Sequence, residues 1–216
     1  MNLQVFIWDV SSNSIDSLFA DLVHPNPNIR FTACSLLAEQ FPEEAMPRLF
    51  ELMHDPDPGV YRTAVKALGM IGHKSVPELI QLFNASDNGT IRACCIKAIV
   101  QVSVCFPDQA FSLDTLVMLE KALDDVSPVV AQSALMTLGH LSKQASEESR
   151  VIPLLIKACD SSNIAHVQGA AMSLAELDSP LVNQCLQGLA QDDCKDELIR
   201  EVAQASLERR QSLGLD

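Results

Sequence analysis

Aromatic residues are scarce in this chain: phenylalanine, tyrosine and tryptophan make up 5% of its 216 residues, with a single Tyr and a single Trp. Alanine and leucine are plentiful instead, and this mixture favours α-helices over a β-sandwich, whose strands are rich in aromatic and β-branched side chains. Apolar residues make up 48% and charged residues 20%, which is typical of a folded protein and argues against disorder.

Basic residues and long apolar runs are also few. The chain has 15 Lys and Arg against 28 Asp and Glu, a formal net charge of −13, which should repel nucleic acid and anionic membranes. No run of about 18 apolar residues occurs, so we expect no membrane span. The N-terminal sequence MNLQVFIWDVSSN has no basic segment before its short apolar run and does not resemble a secretory signal, which predicts a cytoplasmic protein.

Sequence motifs of metal sites and catalytic sites are missing as well. The seven cysteines form no C-x-x-C pair, and there is no H-E-x-x-H, glycine-rich phosphate loop or nucleophile elbow. We therefore predict no metal site and no catalytic residue, and interpret most cysteines as reduced thiols that fill the core. In the adjacent pair Cys94–Cys95, Cys94 is the better candidate for an exposed thiol, and the alternative is that it is a tolerated small residue. Cys185 and Cys194 lie across a turn where they could approach each other, although a cytosolic disulfide is not expected.

What the chain does contain is a sixfold internal repeat. When Val60 of DPDPGVYRTAVKALGMIG is taken as position 0, a small residue follows at +4 and small or apolar residues follow at +7 and +8. The pattern starts at six positions, spaced by 31, 31, 39, 37 and 32 residues: Ile29, Val60, Ile91, Val130, Val167 and Ile199. Positions 0, +4, +7, +8 and +11 share one side of a helix with about 3.6 residues per turn, so we predict that this side is buried.

Each copy is preceded by a second amphipathic segment and by a turn such as HPNPN or HDPDPG. One helical hairpin cannot bury its apolar face alone, so the copies must stack. The sequence predicts an all-α fold, an α-solenoid (superhelix) of about six helical hairpins in a single domain, residues 1–216. We place the repeats at about 14–41, 42–72, 73–107, 108–143, 144–177 and 178–212. Residues 1–13 are interpreted as an N-terminal cap or, alternatively, as a partner contact.

The repeat resembles a known family. The turn and the Val-Arg or Ile-Arg element after it resemble HEAT repeats. The short unit and the A-x-x-A-L-G ending of the second helix resemble the HEAT-like repeats of the phycobilisome lyase family. YRTAVKALGMIG, SDNGTIRACCIKAIVQV with CFPD after it, and VSPVVAQSALMTLGHL look most like cyanobacterial proteins related to the bilin lyases. The resemblance covers residues 20 to 210 and is more specific for architecture than for subfamily, because many unrelated scaffolds use HEAT repeats.

A candidate binding groove follows from the second helices, which HEAT-type solenoids usually turn toward the concave side. Positions +2, +3, +6 and +10 are expected to face outward there. In the middle copies these and adjacent positions carry cations beside polar and apolar residues: Tyr61, Arg62, Lys66, Met70, Arg92, Lys97, Gln101, Met136 and His140. A locally positive groove suits an acidic peptide or a tetrapyrrole with two propionates. The alternative is that these are ordinary solvated residues, and that Arg30, Arg92 and Arg200 at +1 pair with Asp residues of the turns.

The resemblance implies a bilin lyase subunit or lyase chaperone that binds a phycobilin as a transient ligand and holds no permanent cofactor. In that family an acceptor cysteine thiol adds to a vinyl or ethylidene group of the bilin, while the lyase holds the bilin in one conformation. The implied partners are a phycobiliprotein subunit and a second HEAT-repeat lyase chain, and the small size favours an accessory or chaperone chain. The alternative is a non-catalytic HEAT scaffold that binds an iron–sulfur assembly protein or promotes phycobilisome turnover.

Overall fold

The computed structural model describes residues 14–215, and within that range every regular element is helical. The predicted N-terminal cap, with Phe6 and Trp8, lies outside the described residues. Twelve α-helices and one short 3-10 helix, Gly72–Ser75, form the described chain. The helices are α1 Ile15–Asp21, α2 Pro27–Gln40, α3 Pro42–Leu52, α4 Pro58–Ile71, α5 Val76–Ala85, α6 Gly89–Cys105, α7 Leu113–Leu123, α8 Pro128–Leu141, α9 Glu148–Ala158, α10 Ile164–Leu174, α11 Pro180–Gln191 and α12 Glu197–Leu213.

The helices form antiparallel hairpins in two compact units that divide between Ile71 and Gly72. In unit 1, which ends at Ile71, α1 packs on α2, α3 packs on α4, and α2 lies against α4. In unit 2, which begins at Gly72, the second helices α6, α8, α10 and α12 pack successively side by side, and the first helices α5, α7, α9 and α11 form a second layer. The all-α hairpin architecture is therefore confirmed, whereas the assignment of residues 1–216 to a single domain stays a prediction.

Short polar turns start the second helix of each hairpin. Asn26, Asn88, Asn163 and Asp196 each cap a helix by accepting a hydrogen bond from the backbone N–H two residues later, at 2.8–3.0 Å. Asp57 does the same for Gly59 at 2.7 Å. These side chains satisfy donors that the first turn of a helix leaves unpaired. The predicted turns therefore cap the second helix in five of the six copies, whereas Ser127 at the start of α8 makes no such side-chain bond.

The +4 position is buried in all six copies. Every residue there is small and at most 2% exposed: Ala33, Ala64, Cys95, Ala134, Ala171 and Ala203. Leucine and isoleucine at +8 are fully buried in the first four copies, at Leu37, Leu68, Ile99 and Leu138. Small side chains let neighbouring helices approach, and the large ones fill the space between them. The predicted buried face is confirmed at these positions.

The expectation that +3 faces outward is wrong in the middle of the chain. Thr63, Cys94 and Ser133 are buried, because this position packs inside the hairpin stack. The Thr63 and Ser133 hydroxyls remain satisfied since each donates to the carbonyl four residues earlier at 2.7 Å. Cys94 is only 3% exposed, so the expectation of an exposed thiol at this position is corrected. Ala93, at +2, is buried as well.

The connection from α6 to α7, where the repeat spacing lengthens, is held by buried polar contacts. The Phe111 N–H donates to the fully buried carboxylate of Glu147 at 2.6 Å, and Arg150 donates to the same carboxylate oxygen at 3.0 Å. The Phe111 ring stacks on His73 with centroids 4.8 Å apart. Gly72 has φ +85°, and the Phe106 ring occupies the place where a β-carbon would lie. A side chain at position 72 would therefore be excluded by both conformation and space.

Candidate functional site

The predicted groove residues fall in both units, and each group is described separately. In unit 1, Tyr61, Arg62, Lys66 and Met70 lie on α4, with Arg62 exposed and the others half-buried. The Lys66 ammonium lies 4.5 Å from the centre of the Phe31 ring on α2, and the Arg62 guanidinium lies 5.9 Å from the Tyr61 ring. These are cation–π contacts of the kind that hold an amphipathic side chain against a helix surface.

In unit 2, the predicted residues lie on α6 and α8, where they have different surroundings. Arg92 makes two hydrogen bonds to the Asp125 carboxylate, at 2.8 and 2.7 Å, and a third to the Ser86 carbonyl at 3.0 Å. This pair raises the pKa of Arg92 and lowers the pKa of Asp125 through the hydrogen bonds between them. Arg92 thus links one repeat to the turn of the next. This contact agrees with the alternative interpretation of the sequence, in which the +1 arginines pair with Asp residues of the turns.

The +1 arginines of the other copies also contact turns. Arg30 donates to the carbonyls of His24 and Pro25 at 2.6 and 2.9 Å, and Arg200 donates to the carboxylate of Asp193 at 3.2 Å. Two of the three +1 arginines therefore pair with a turn aspartate, and the third binds turn carbonyls. All three contacts tie the second helix to a turn, which is a structural role.

The remaining predicted residues of unit 2 line α6 and α8. Lys97 is exposed on α6, and the Gln101 amide donates to the Cys105 sulfur at 3.3 Å. Met136 and His140 lie one turn apart on α8, and Met136 is 66% exposed. These two are the predicted residues that border a concave site within unit 2.

That site is a cavity of about 500 Å³ between α8 and α10, here called the α8–α10 cavity. Its volume lies within the range of small-molecule sites. Both apolar and polar residues line it: Gln132, Leu135, Met136, Gly139, His140, Ser142, Lys143, Gly169, Met172, Ser173, Glu176 and Leu177. Met136 and Met172 stand on its two sides and are both more than 60% exposed. An exposed pair of flexible, polarisable thioethers is typical of surfaces that adapt to a ligand.

Two glycines bring α8 and α10 together at this cavity. A β-carbon at Gly139 would meet the Ser173 hydroxyl oxygen at 2.7 Å, and one at Gly169 would meet the Leu135 side chain at 3.0 Å. Both distances are shorter than ordinary contact, so a larger residue at either position would require the facing Ser173 or Leu135 side chain to move. Gly139 and Gly169 thus mark places where α8 and α10 approach each other closely at the cavity.

A smaller cavity of about 300 Å³ follows between α10 and α12, here called the α10–α12 cavity. Met172 and Glu176 line both cavities, and Arg209 lies on the far side of the second. Arg209 donates to the Glu176 carboxylate at 2.8 Å, and this hydrogen bond, together with the charges of Arg209 and Lys143, lowers the pKa of Glu176. Two cations therefore flank a single carboxylate along the two cavities, in a protein whose net charge is strongly negative.

His140 adds a polar atom that has no partner. Its Nε2 is shielded from solvent and makes no hydrogen bond to any of the residues 14–215. An imidazole nitrogen without a partner is costly in a protein interior. Since the ring borders the α8–α10 cavity, a small movement of the side chain would let it bind a polar group there.

Several residues of this site were missed by the sequence interpretation. Lys143 lies beyond the end of α8, so a repeat frame that stops at +11 does not include it. Met172 occupies +5 of its copy, a position that was assigned neither to the core nor to the outward stripe. Arg209 occupies +10 of the last copy, but the candidate groove was taken from the middle copies only, because no pattern in one sequence shows where adjacent helices leave a gap.

No cysteine lines the α8–α10 cavity or the α10–α12 cavity. Among residues 14–215 no cluster of three or more His, Cys, Asp or Glu side chains is placed to hold a metal ion. Burial raises the pKa of Cys34 to about 11 and that of Cys95 to about 12, so both thiols stay protonated. Over the same residues no helix combines the length and apolar character that crossing a membrane requires.

Comparison with known proteins places the chain in a family. The family model described as HEAT repeats matches residues 15–100 and 116–208. The chain is 55% identical over 181 residues to the Bilin biosynthesis protein CpeZ of Synechococcus sp. (strain WH8020), covering 84% of this chain and 97% of that protein. It is 34% identical over 197 residues to the Uncharacterized phycocyanin operon protein Z of Pseudanabaena tenuis (strain PCC 7409), covering 91% of this chain and 95% of that protein.

Two solved structures show the same fold. The complex of CpcE and CpcF of phycocyanin lyase from Nostoc sp. PCC7120 contains a chain with TM-score 0.56 and 19% identity, covering 76% of this chain and 98% of that one. The structure of YIBA_ECOLI has TM-score 0.56 and 20% identity, covering 92% of this chain and 73% of that one. At these identities the likeness is one of fold. From the sequence relatives and the family model together, this chain belongs to the HEAT-repeat family and, within it, to the family of the bilin biosynthesis protein CpeZ.

Proposed function

We propose that this protein handles an open-chain tetrapyrrole, a phycobilin, during its attachment to phycobiliproteins, as a lyase subunit or chaperone. The observation that carries the proposal is the 55% identity to the Bilin biosynthesis protein CpeZ, which extends over 97% of that protein's length. Identity at this level over nearly the whole length of a relative extends to surface residues and is not confined to the buried positions of the repeat.

The α8–α10 cavity supports this proposal by its shape and chemistry. A bilin is a long, flexible conjugated molecule with an apolar body and two propionates. The cavity offers Leu135, Met136 and Met172 for the apolar body and Lys143 for a carboxylate. Arg209 provides a second cation at the α10–α12 cavity. Cations placed at the edge of an apolar site are the usual way to fix the orientation of such a ligand.

The role we propose is positioning. The protein would hold the bilin, or the segment of the phycobiliprotein that accepts it, while the acceptor cysteine thiol adds to the vinyl or ethylidene group. Fixing two reactants in one geometry removes much of the entropic barrier without any catalytic side chain. The proposed partners are a phycobiliprotein subunit and a second HEAT-repeat chain, and the proposed location is the cytoplasm. The likeness to a chain from the complex of CpcE and CpcF motivates the second partner.

A second candidate function is a scaffold that binds only protein. It is favoured by the exposure of Met136 and Met172, since exposed methionines recur on surfaces that bind several peptide sequences. In this reading an acidic segment of a partner protein occupies the α8–α10 cavity, and no bilin binds directly.

The test is an absorption titration. The purified chain is mixed with phycocyanobilin or phycoerythrobilin, alone and together with a second HEAT-repeat lyase chain. Bilin handling predicts a shifted and narrowed absorption band in at least one mixture, because a bound bilin is held in one conformation. Unchanged spectra in every mixture would reject it, and binding of a phycobiliprotein subunit without any bilin signal would support the scaffold.

A matched pair of variants tests the location. Met136→Glu places a carboxylate beside the α8–α10 cavity, whereas Val129→Glu changes an equally exposed apolar residue of α8 that does not line it. We expect the first to weaken bilin binding at least about tenfold through charge repulsion and the second to leave it unchanged. The double variant Arg62→Glu/Lys97→Glu tests the groove predicted from the sequence. If this variant loses bilin binding while Met136→Glu binds bilin normally, the site belongs to that groove and not to the α8–α10 cavity.

A further inference from the structure

The two cavities of unit 2 share one charged residue, Glu176. Met172 and Glu176 are the two residues that line both the α8–α10 cavity and the α10–α12 cavity. Lys143 lines the first of these cavities, and Arg209 lines the second. Glu176 therefore lies at the boundary between the two cavities, and the lining of each cavity contains a cation.

The backbone at Glu176 is held in place, whereas the side chain of this residue is at the surface. Glu176 follows the end of α10, and the next residue, Leu177, is buried. The guanidinium of Arg210, a residue that is only 1% exposed, donates to the Leu177 carbonyl and so fixes the segment after α10 against α12. The Glu176 side chain itself is 44% exposed. A change of its rotamer therefore moves the carboxylate without moving the helices.

The ion pair that holds the Glu176 carboxylate is of a kind that exchanges readily. Arg209 donates to this carboxylate at 2.8 Å, and the side chains of Arg209 and Glu176 are 57% and 44% exposed. The Arg92–Asp125 pair differs, because its side chains are 13% and 10% exposed and two hydrogen bonds join them. Exposed ion pairs contribute little to stability, since water solvates both partners when they separate. A carboxylate of a ligand can therefore replace Glu176 on Arg209 at small cost to the fold.

The charges around Glu176 suit an anion. The hydrogen bond from Arg209, together with the charges of Arg209 and Lys143, lowers the pKa of Glu176, so this side chain is a carboxylate at neutral pH. His140, which lines the α8–α10 cavity, has an Nε2 that is shielded from solvent and has no hydrogen-bond partner among residues 14–215. The two cavities thus contain two cations and an imidazole nitrogen that needs a partner, while the protein's own carboxylate engages one of the cations.

We propose that Glu176 is an internal competitor for the ligand: its carboxylate occupies Arg209 in the ligand-free protein and is displaced by a carboxylate of the ligand. This inference rests on the proposed function, because it concerns the same cavities. The class of ligand is an elongated apolar molecule with one carboxylate for Arg209 and a second for Lys143. Its apolar body would lie along Met136 and Met172, across the boundary that opens when the Glu176 side chain turns away.

The exchange gives the site selectivity for free carboxylates. A ligand carboxylate compensates Arg209 for the loss of Glu176, so the charge-assisted hydrogen bonding of the guanidinium is retained. An ester or another neutral group offers no such compensation and leaves Glu176 on Arg209. Glu176 thereby favours ligands with free carboxylates over neutral apolar molecules, because only the former open the boundary between the two cavities.

The test compares free carboxylates with their esters. The full-length chain is titrated with phycocyanobilin and its dimethyl ester, followed by absorption, and with pyrenebutyrate and its methyl ester, followed by fluorescence. Glu176→Gln keeps the size of the side chain and removes its charge. We expect it to tighten the binding of both free carboxylates about three- to tenfold, since a larger fraction of the protein then has Arg209 available, and to leave ester binding unchanged. Arg209→Gln should weaken the binding of the free carboxylates by about fivefold or more without affecting the esters.

The matched control is Glu201→Gln, which removes the charge of an exposed glutamate of α12 that lines neither cavity. We expect its binding and its unfolding midpoint, like the midpoint of Glu176→Gln, to equal those of the unchanged protein. Equal tightening in both variants would reveal a general effect of net charge and overturn the proposal. Bilin binding that Glu176→Gln leaves unchanged would overturn the proposal but not the proposed function. Tightened pyrenebutyrate binding without any bilin binding would support the exchange and reject bilin handling, whereas a Glu176→Gln protein that binds neither probe would overturn the exchange.

Discussion

Helices α4 and α8 are two copies of one element that differ in what they present to solvent. Both contain fourteen residues, begin with proline and carry Ala at +4 and Leu at +8, which are fully buried in both. At +6 and +10, however, α4 has Lys66 and Met70, whereas α8 has Met136 and His140. The Lys66 ammonium rests on the Phe31 ring, while Met136 extends beside the α8–α10 cavity.

The comparison shows that the two faces of a repeat helix respond to different requirements. The buried face must fit its neighbours in every copy, so its residues recur. The outward face has no such requirement, and there each copy can acquire its own chemistry. Recurrence along the sequence therefore reveals the fold, and departures from recurrence are where a binding site is to be sought. Lys66 and Met136 are the departure at +6.

The largest expected effect tests the shared face. Leu68→Ala and Leu138→Ala each empty a fully buried position at +8, and we expect each to lower the free energy of unfolding by about 2–5 kcal/mol. The check is urea denaturation followed by circular dichroism. The two variants should lose comparable stability, and a loss confined to one of them would show that the buried faces of α4 and α8 are not equivalent.

A medium effect is expected for the inter-repeat ion pair of unit 2. The Arg92 and Asp125 side chains are 13% and 10% exposed, whereas Arg48 and Asp16 in unit 1 are 42% and 80% exposed at the same 2.7–2.8 Å separation. Arg92→Ala should lower the free energy of unfolding by about 1–3 kcal/mol, because it leaves the largely buried Asp125 carboxylate with fewer partners. Arg48→Ala, the control, should change the unfolding free energy by less than about 1 kcal/mol. Equal losses would show that burial does not decide the strength of these pairs.

The same pair predicts a pH dependence. The hydrogen bonds from Arg92 lower the pKa of Asp125 in the folded protein relative to the unfolded chain. This stabilisation is fully present above the unfolded pKa of about 3.9 and is lost as the pH falls through the lower, folded pKa. Unfolding midpoints measured from pH 6 down to about pH 3 should therefore fall less steeply for Asp125→Asn than for the unchanged protein. Parallel curves would contradict the assignment.

A smaller effect on stability, but a large one on binding, is expected from exchanging the outward residues. Met136→Lys should leave the unfolding free energy within about 0.5 kcal/mol, since Met136 is exposed. We expect the free energy of unfolding of Lys66→Met to change equally little. If the α8–α10 cavity binds the apolar body of a bilin, the first variant weakens that binding and the second does not. Identical binding by both variants would remove the functional difference between α4 and α8.

Much of the fold could be predicted from the sequence, because helix packing imposes the same small and apolar residues on every copy. The residues at +4 show this most clearly, as Cys95 takes the place of alanine without any change in burial. The burial of Cys94 was missed because +3 packs against neighbouring elements, which depends on how the hairpins stack.

The candidate site was predicted only in part. Met136 and His140 were included because they lie on the outward stripe, but Lys143 and Met172 were not, since neither occupies a position of that stripe. A cavity between helices depends on side-chain sizes at facing positions, here Gly139 opposite Ser173 and Gly169 opposite Leu135, and one sequence does not show which positions face each other. Whether the residues on α4 and α6 also contact a ligand stays a prediction.

Hydrogen–deuterium exchange of the full chain with and without bilin, in the presence of the partner chain if the titration requires it, tests the location of the site most directly. We expect protection in the segments that line the two cavities, around residues 135–143, 169–177 and 202–209. The exchange of α2 and α4 should be unchanged. Protection confined to α4 and α6, with none in α8, α10 and α12, would contradict the account and return the site to the groove predicted from the sequence.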